Sequence, residues 1–166
     1  MKTFRLGIVA VIAFSFLGAW VLHSQSKTTD QGLTDGLKDH LRTERFEPVA
    51  TVAALPASVR TALTDLFGSG TLEMADPGQP FQATDVMVMP RLPARRLTTA
   101  GCSSDHCLVY YERGGFAHTW HVTLFHWTPA ATRFEWGGDA SGGLATIGAV
   151  QKAVLSGELK GSTGPW

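Results

Sequence analysis

Between residues 100 and 136 apolar and polar positions alternate with a period of two, the spacing of strands that bury one face. In residues 116–127, Phe116, His118, Trp120, Val122, Leu124 and His126 fall on one side, and Ala117, Thr119, His121, Thr123, Phe125 and Trp127 on the other. The first side is the expected core face, because the second is small and polar until its last two positions. Residues 132–136 repeat the pattern after a Thr128-Pro129-Ala130-Ala131 turn, with Phe134 and Trp136 on one side and Arg133 and Glu135 on the other. Upstream, the aromatic and β-branched run 108–112 ends at Arg113-Gly114-Gly115, where glycine permits the positive φ of a tight reversal. Residues 95–100 then pair with that run through a turn at 103–106. The pattern predicts an antiparallel meander of four to five strands.

Two segments switch to the helical period. Residues 55–68 place Val59, Leu63, Leu66 and Phe67 on one face, with Pro56 suited to the first turn and Gly68 to a left-handed C-terminal position. Residues 146–155 align Ile147, Val150, Val154 and Leu155, with Gly157 following. Packing both helices on one face of the meander gives an α+β fold. A short apolar strand at 86–89 is stopped by Pro90 and Pro93.

The N-terminus follows a different pattern. After Lys2 and Arg5, residues 6–22 are uncharged and apolar, relieved only by Gly7, Ser15 and Gly18. A helix of that length reaches ~25 Å against a hydrocarbon core of about 30 Å, which suffices at the low end of spanning lengths. Leu17-Gly18-Ala19 lies inside the run and Ser24-Gln25-Ser26 is the next small-residue pattern, so the cleavage signal is weak. No cysteine follows to carry a lipid. Residues 1–23 therefore read as a signal peptide or a single-pass inner-membrane anchor, and the rest as exported. Residues 24–47 read as a polar stalk with a narrow Leu33, Leu37, Leu41 stripe, and residues 48–166 as the exported domain.

Charge narrows the function. Lys plus Arg and Asp plus Glu each number 14, and setting aside Lys2 and Arg5 leaves 12 against 14, a net −2. No basic patch of the nucleic-acid-binding kind results. The chain has no Asn, few Ile, and more Arg than Lys, a bias of GC-rich bacterial genomes that also removes any N-glycosylation site.

Cys102 and Cys107 are the only cysteines, and in an exported chain they are expected to pair across the 103–106 turn. A metal set of Cys102, His106 and Cys107 lacks the paired spacing of zinc sites. His118, His121 and His126 cannot share a ligand, since His121 points away from the other two and those lie ~27 Å apart on a strand. No metal or cofactor is expected.

Gly138-Asp139-Ala140-Ser141-Gly142-Gly143 resembles the G-D-S-G-G nucleophile motif of trypsin-like serine proteases over six residues, with one Ala inserted. The resemblance implies Ser141, His118 or His121, and Asp139 or Asp85 as a triad. The inserted Ala140 displaces the serine, and no protease-type histidine segment precedes it. A stronger candidate is Glu112, Arg113, Gly114, Gly115 and His118, where a charged pair beside a glycine reversal can present a guanidinium and backbone N–H groups to an anion or a carboxylate. The expectation is a non-enzymatic envelope domain, a small accessory subunit that binds a protein partner at the membrane. The alternative is a small periplasmic hydrolase using His118 or His121.

Overall fold

In the computed structural model, which describes residues 32–86, 91–162, 164 and 166, three helices and seven strands build an α+β fold around a sheet that is antiparallel except at one short pairing. In chain order the elements are α1 (Asp35–Thr43), β1 (Glu47–Val49), α2 (Ala57–Phe67), β2 (Met74–Ala75), β3 (Arg95–Cys102), β4 (His106–Arg113), β5 (Thr119–Trp127), β6 (Thr132–Ala140), α3 (Ile147–Ser156) and β7 (Lys160–Gly161). The apolar run 6–22 and most of the strand expected at 86–89 lie outside the described residues. Among those described, no helix is long and apolar enough to cross a membrane.

The strands β3 to β6 form the meander, with β1 beyond β3, β7 beyond β6, and β2 parallel to the start of β3. The turn between β5 and β6 is the expected one, closed by Thr128 N donating to Ala131 O at 2.8 Å. The helix signals also hold: Gly68 ends α2 with φ 62°, and the Thr146 side chain caps α3 by accepting from Ala149 N.

The two expected sheet helices do not share a face. Val59 and Leu63 of α2 pack with Cys107, Val109, Tyr111 and Phe125, whereas Ile147, Val150 and Val154 of α3 pack with Leu108, Tyr110, Val122, Leu124 and Trp136. Neighbouring residues of one strand point to opposite faces, so α2 and α3 sandwich the sheet. The physical reason is legible in β4, where Cys107 to Tyr111 is apolar at every position and so needs cover on both sides. The β5 face read as polar is buried as well: His121 is 5% and Thr123 0% exposed.

The segment read as a stalk partly belongs to the domain. Leu33 and Leu41 are buried, Leu37 packs against them, and Phe46 joins the same core as α3. Gln151 of α3 donates to Leu41 O at 2.8 Å and Glu44 O at 3.2 Å, fixing the end of α1. Among the described residues the buried core includes Leu33, Leu41 and Phe46, upstream of residue 48.

Two register readings also change. The strand β5 starts at Thr119, so Phe116 lies in the turn and is 99% exposed, not in the core. In β6, Leu124 pairs with Trp136 but Phe125 pairs with Phe134, a bulge that adds Glu135 to one strand. The extra residue puts Phe134 on the α2 face and Trp136 on the α3 face, where simple alternation had placed them together.

Candidate functional site

The hairpin between β4 and β5 gathers the residues singled out in the sequence, but distributes them over two faces. Glu112 is buried, on the sheet face that Leu108 and Tyr110 share with α3. Its Oε1 receives Arg96 Nε at 2.7 Å and Nη2 at 2.6 Å, and its Oε2 lies 2.7 Å from His118 Nε2. Cross-strand register supplies Arg96, which pairs directly with Glu112. Two rings complete the brace: His118 stacks on Trp120 with centroids 4.3 Å apart, and the Arg96 guanidinium sits 4.4 Å over Phe81.

At the tip, the two glycines serve different needs. Gly115 has φ 117°, a conformation that side chains rarely adopt. Gly114 is required by close approach, since a Cβ there would stand 1.8 Å from Gln82 O, and its N donates to Ala94 O at 2.9 Å. Phe116 projects from this tied-down turn into solvent.

On the α2 face of the same end, His121 lies between a hydroxyl and a carboxylate. Thr119 Oγ1 is 2.8 Å from His121 Nε2, and Asp139 Oδ1 is 2.9 Å from His121 Nδ1, though oblique to the line a hydrogen bond takes. Burial lowers the His121 pKa, and the Asp139 charge partly opposes this. Tyr111 stacks on His121 at 5.4 Å, and burial raises its phenol pKa. The Tyr111 hydroxyl and Arg95 Nε have no hydrogen-bond partner among the described residues. Arg113 acts electrostatically on this group. Of the protease-like motif, Asp139 meets His121, while Ser141 and Asp85 are exposed elsewhere; the hydroxyl on the imidazole is that of Thr119.

At the opposite end of β4, Cys102 and Cys107 face each other in register with sulfur atoms 2.01 Å apart. Cys107 faces α2 and His106 faces α1, so strand alternation splits the Cys102, His106 and Cys107 set. His106 meets other groups instead. Its Nδ1 is 2.5 Å from Glu44 Oε1 and its Nε2 is 3.1 Å from Glu135 Oε2, while His40 Nε2 reaches the same Glu44 oxygen at 2.8 Å. This cluster was missed because His40 and Glu44 lie in the segment read as a stalk, 62 residues before His106 in the case of Glu44. The Leu33, Leu37, Leu41 stripe was the signal that could have placed them on the sheet.

Comparisons with models of known protein families, with curated proteins and with solved structures found no match, so the functional reading rests on this geometry.

Proposed function

We propose that the chain is a non-enzymatic binding or accessory domain of the bacterial cell envelope that captures a protein partner at the membrane through the tip of the β4 to β5 hairpin. The observation that carries this reading is Phe116, 99% exposed on a turn held from below. A large aromatic in solvent is usual only singly, but one mounted on a preorganised support is the form of a binding anchor, because little conformational entropy remains to be lost on docking. The support is the Glu112, Arg96 and His118 brace together with the close contact of Gly114 and Gln82. Residues 6–22 would tether the domain to the inner membrane and keep the tip near its partner.

The test is a pull-down from native membranes in detergent, read by mass spectrometry, with the wild type and Phe116→Ala side by side. Capture of a protein by the wild type that Phe116→Ala loses, with melting shifted by no more than an ordinary surface substitution of about 0.5 kcal/mol, supports the reading. Equal capture by both forms overturns it.

A second reading, a small periplasmic hydrolase, is favoured by one arrangement. Thr119, His121 and Asp139 stand in the order of a nucleophile, a base and an orienting carboxylate, beside the unsatisfied Tyr111 hydroxyl. His118 fits this role less well, since its Nε2 is taken by Glu112. Release of nitrophenol from short-chain esters, abolished by both His121→Gln and Thr119→Val, would support the hydrolase; no release above buffer would dismiss it.

A further inference from the structure

We propose that His40, Glu44 and His106 form a site for a zinc-type divalent cation that joins α1 to the sheet. His40 Nε2, Glu44 Oε1 and His106 Nδ1 all lie within 4.8 Å of one another. Two imidazole nitrogens and one carboxylate oxygen are the donor set that suits Zn²⁺ and related transition ions, in contrast to the all-oxygen shells of Mg²⁺ and Ca²⁺. Donors about 2.0 Å from a common tetrahedral ion stand roughly 3.3 Å apart. The contacts of 2.5 and 2.8 Å to Glu44 Oε1 would need to open by less than an ångström.

The groups around the cluster supply the outer contacts that a metal site uses. Each buried ligand has its second polar atom held by a partner. His106 Nε2 meets Glu135, itself fixed by Arg133 Nη2 at 2.5 Å, and Glu44 Oε2 accepts from Ser103 Oγ. A carboxylate behind a histidine and a hydrogen bond behind a carboxylate are the outer contacts that orient metal ligands. The bulge in β6 is what brings Glu135 to His106, so a local departure from regular pairing supplies the outer contact.

Both ring nitrogens of buried His106 face carboxylates, Nε2 that of Glu135 and Nδ1 that of Glu44. With Nε2 turned to Glu135, Nδ1 stands beside Glu44 Oε1 as the atom a shared cation would take. His40 is half-exposed and Asp105 Oδ2 lies 3.6 Å from its Nε2, which leaves an approach from solvent and an acidic group at its mouth. Because two ligands come from the end of α1 and the third from β4, the ion would fasten the helix that Gln151 already holds.

The experiment titrates Zn²⁺ alone into full-length protein stripped with chelator, by calorimetry, with bound metal counted by elemental analysis. One equivalent should bind, with the melting temperature rising on addition. His40→Ala, at a half-exposed position that the core does not need, should weaken binding at least tenfold and suppress the thermal shift. Glu135→Gln, a positioning residue, should weaken it between 10- and 100-fold. His126→Ala, whose ring packs edge-on against His106 without being one of the three ligands, should retain binding within threefold. No zinc uptake by the wild type, or full affinity in both folded His40→Ala and folded Glu135→Gln, overturns the site. If Glu135→Gln fails to fold, His40→Ala alone decides.

Discussion

Replacing Glu112 by Ala removes the carboxylate on which the hairpin brace converges. Arg96 would keep Gln79 O at 3.2 Å and the face of Phe81, and His118 its ring contacts with Trp120 and Phe81. Removing one partner of a fully buried ion pair costs about 3–5 kcal/mol, most of it the isolated charge left behind. Here the Arg96 and His118 side chains are 27% and 36% exposed, so water recovers part of that charge. The expected loss is therefore about 2–3 kcal/mol. Urea unfolding at neutral pH would measure it, with an unchanged slope showing that only stability moved. The double variant with Arg96→Ala should fall short of the sum of the single losses by about 1–2 kcal/mol, since both remove the same pair. A loss below about 0.5 kcal/mol, the range of a solvated surface pair, would refute the brace and with it the claim that Phe116 stands on a rigid support.

Gly114→Ala should destabilise by about 1–3 kcal/mol because its Cβ meets the backbone of Gln82, and a neutral effect in a thermal melt would show that this contact yields freely. Trp136→Ala should cost about 3–5 kcal/mol and Phe134→Ala less than about 1.5, because Trp136 is buried and Phe134 is 38% exposed. Equal costs in denaturant would contradict the bulge between them. For His121, burial sets the folded pKa below its ordinary 6.5, so the unfolded chain takes up a proton that the native state resists. Its contribution to stability is present above pH 6.5 and is lost as pH falls through the lower folded value. The stability difference between wild type and His121→Asn should shrink over that acid window, and a difference that stays flat would remove the effect.

The local signals were read well where one element decides its own fate. Gly68 and Thr146 mark helix ends through their own backbone and side chain, and the hairpin turns follow from their residues. What failed required knowing a neighbour. Whether His121 is buried depends on neighbours far along the chain, Tyr111 and Trp166, and the apolar continuity of Leu108, Val109, Tyr110 and Tyr111 was the available sign that both faces would be covered. The position of Trp136 depends on an inserted residue that a strict period of two cannot represent. For the candidate hairpin site, Glu112 and His118 were named together and do meet, while Arg96 and Phe81 belong to it only through register and a loop. The His40, Glu44 and His106 cluster was hidden for the same reason, because sequence distance conceals what the sheet brings together.

The short strands flanking the meander have a further consequence for how this domain can be recognised. On one side, β1 covers β3 only at residues 100–102 and contains Pro48, which offers no N–H, while β2 covers only residues 95 and 96. On the other, β7 covers residues 138 and 139, Ser162 N takes Gly137 O, and the bulge with charged Arg133 and Glu135 interrupts the remainder of β6. Among the described residues, neither border presents the long, regular row of amide and carbonyl groups that an incoming strand would need to extend the sheet. Copies of this domain at high concentration would thus resist zipping into a shared sheet. A partner that docks by donating a strand is likewise disfavoured, which leaves recognition to side chains.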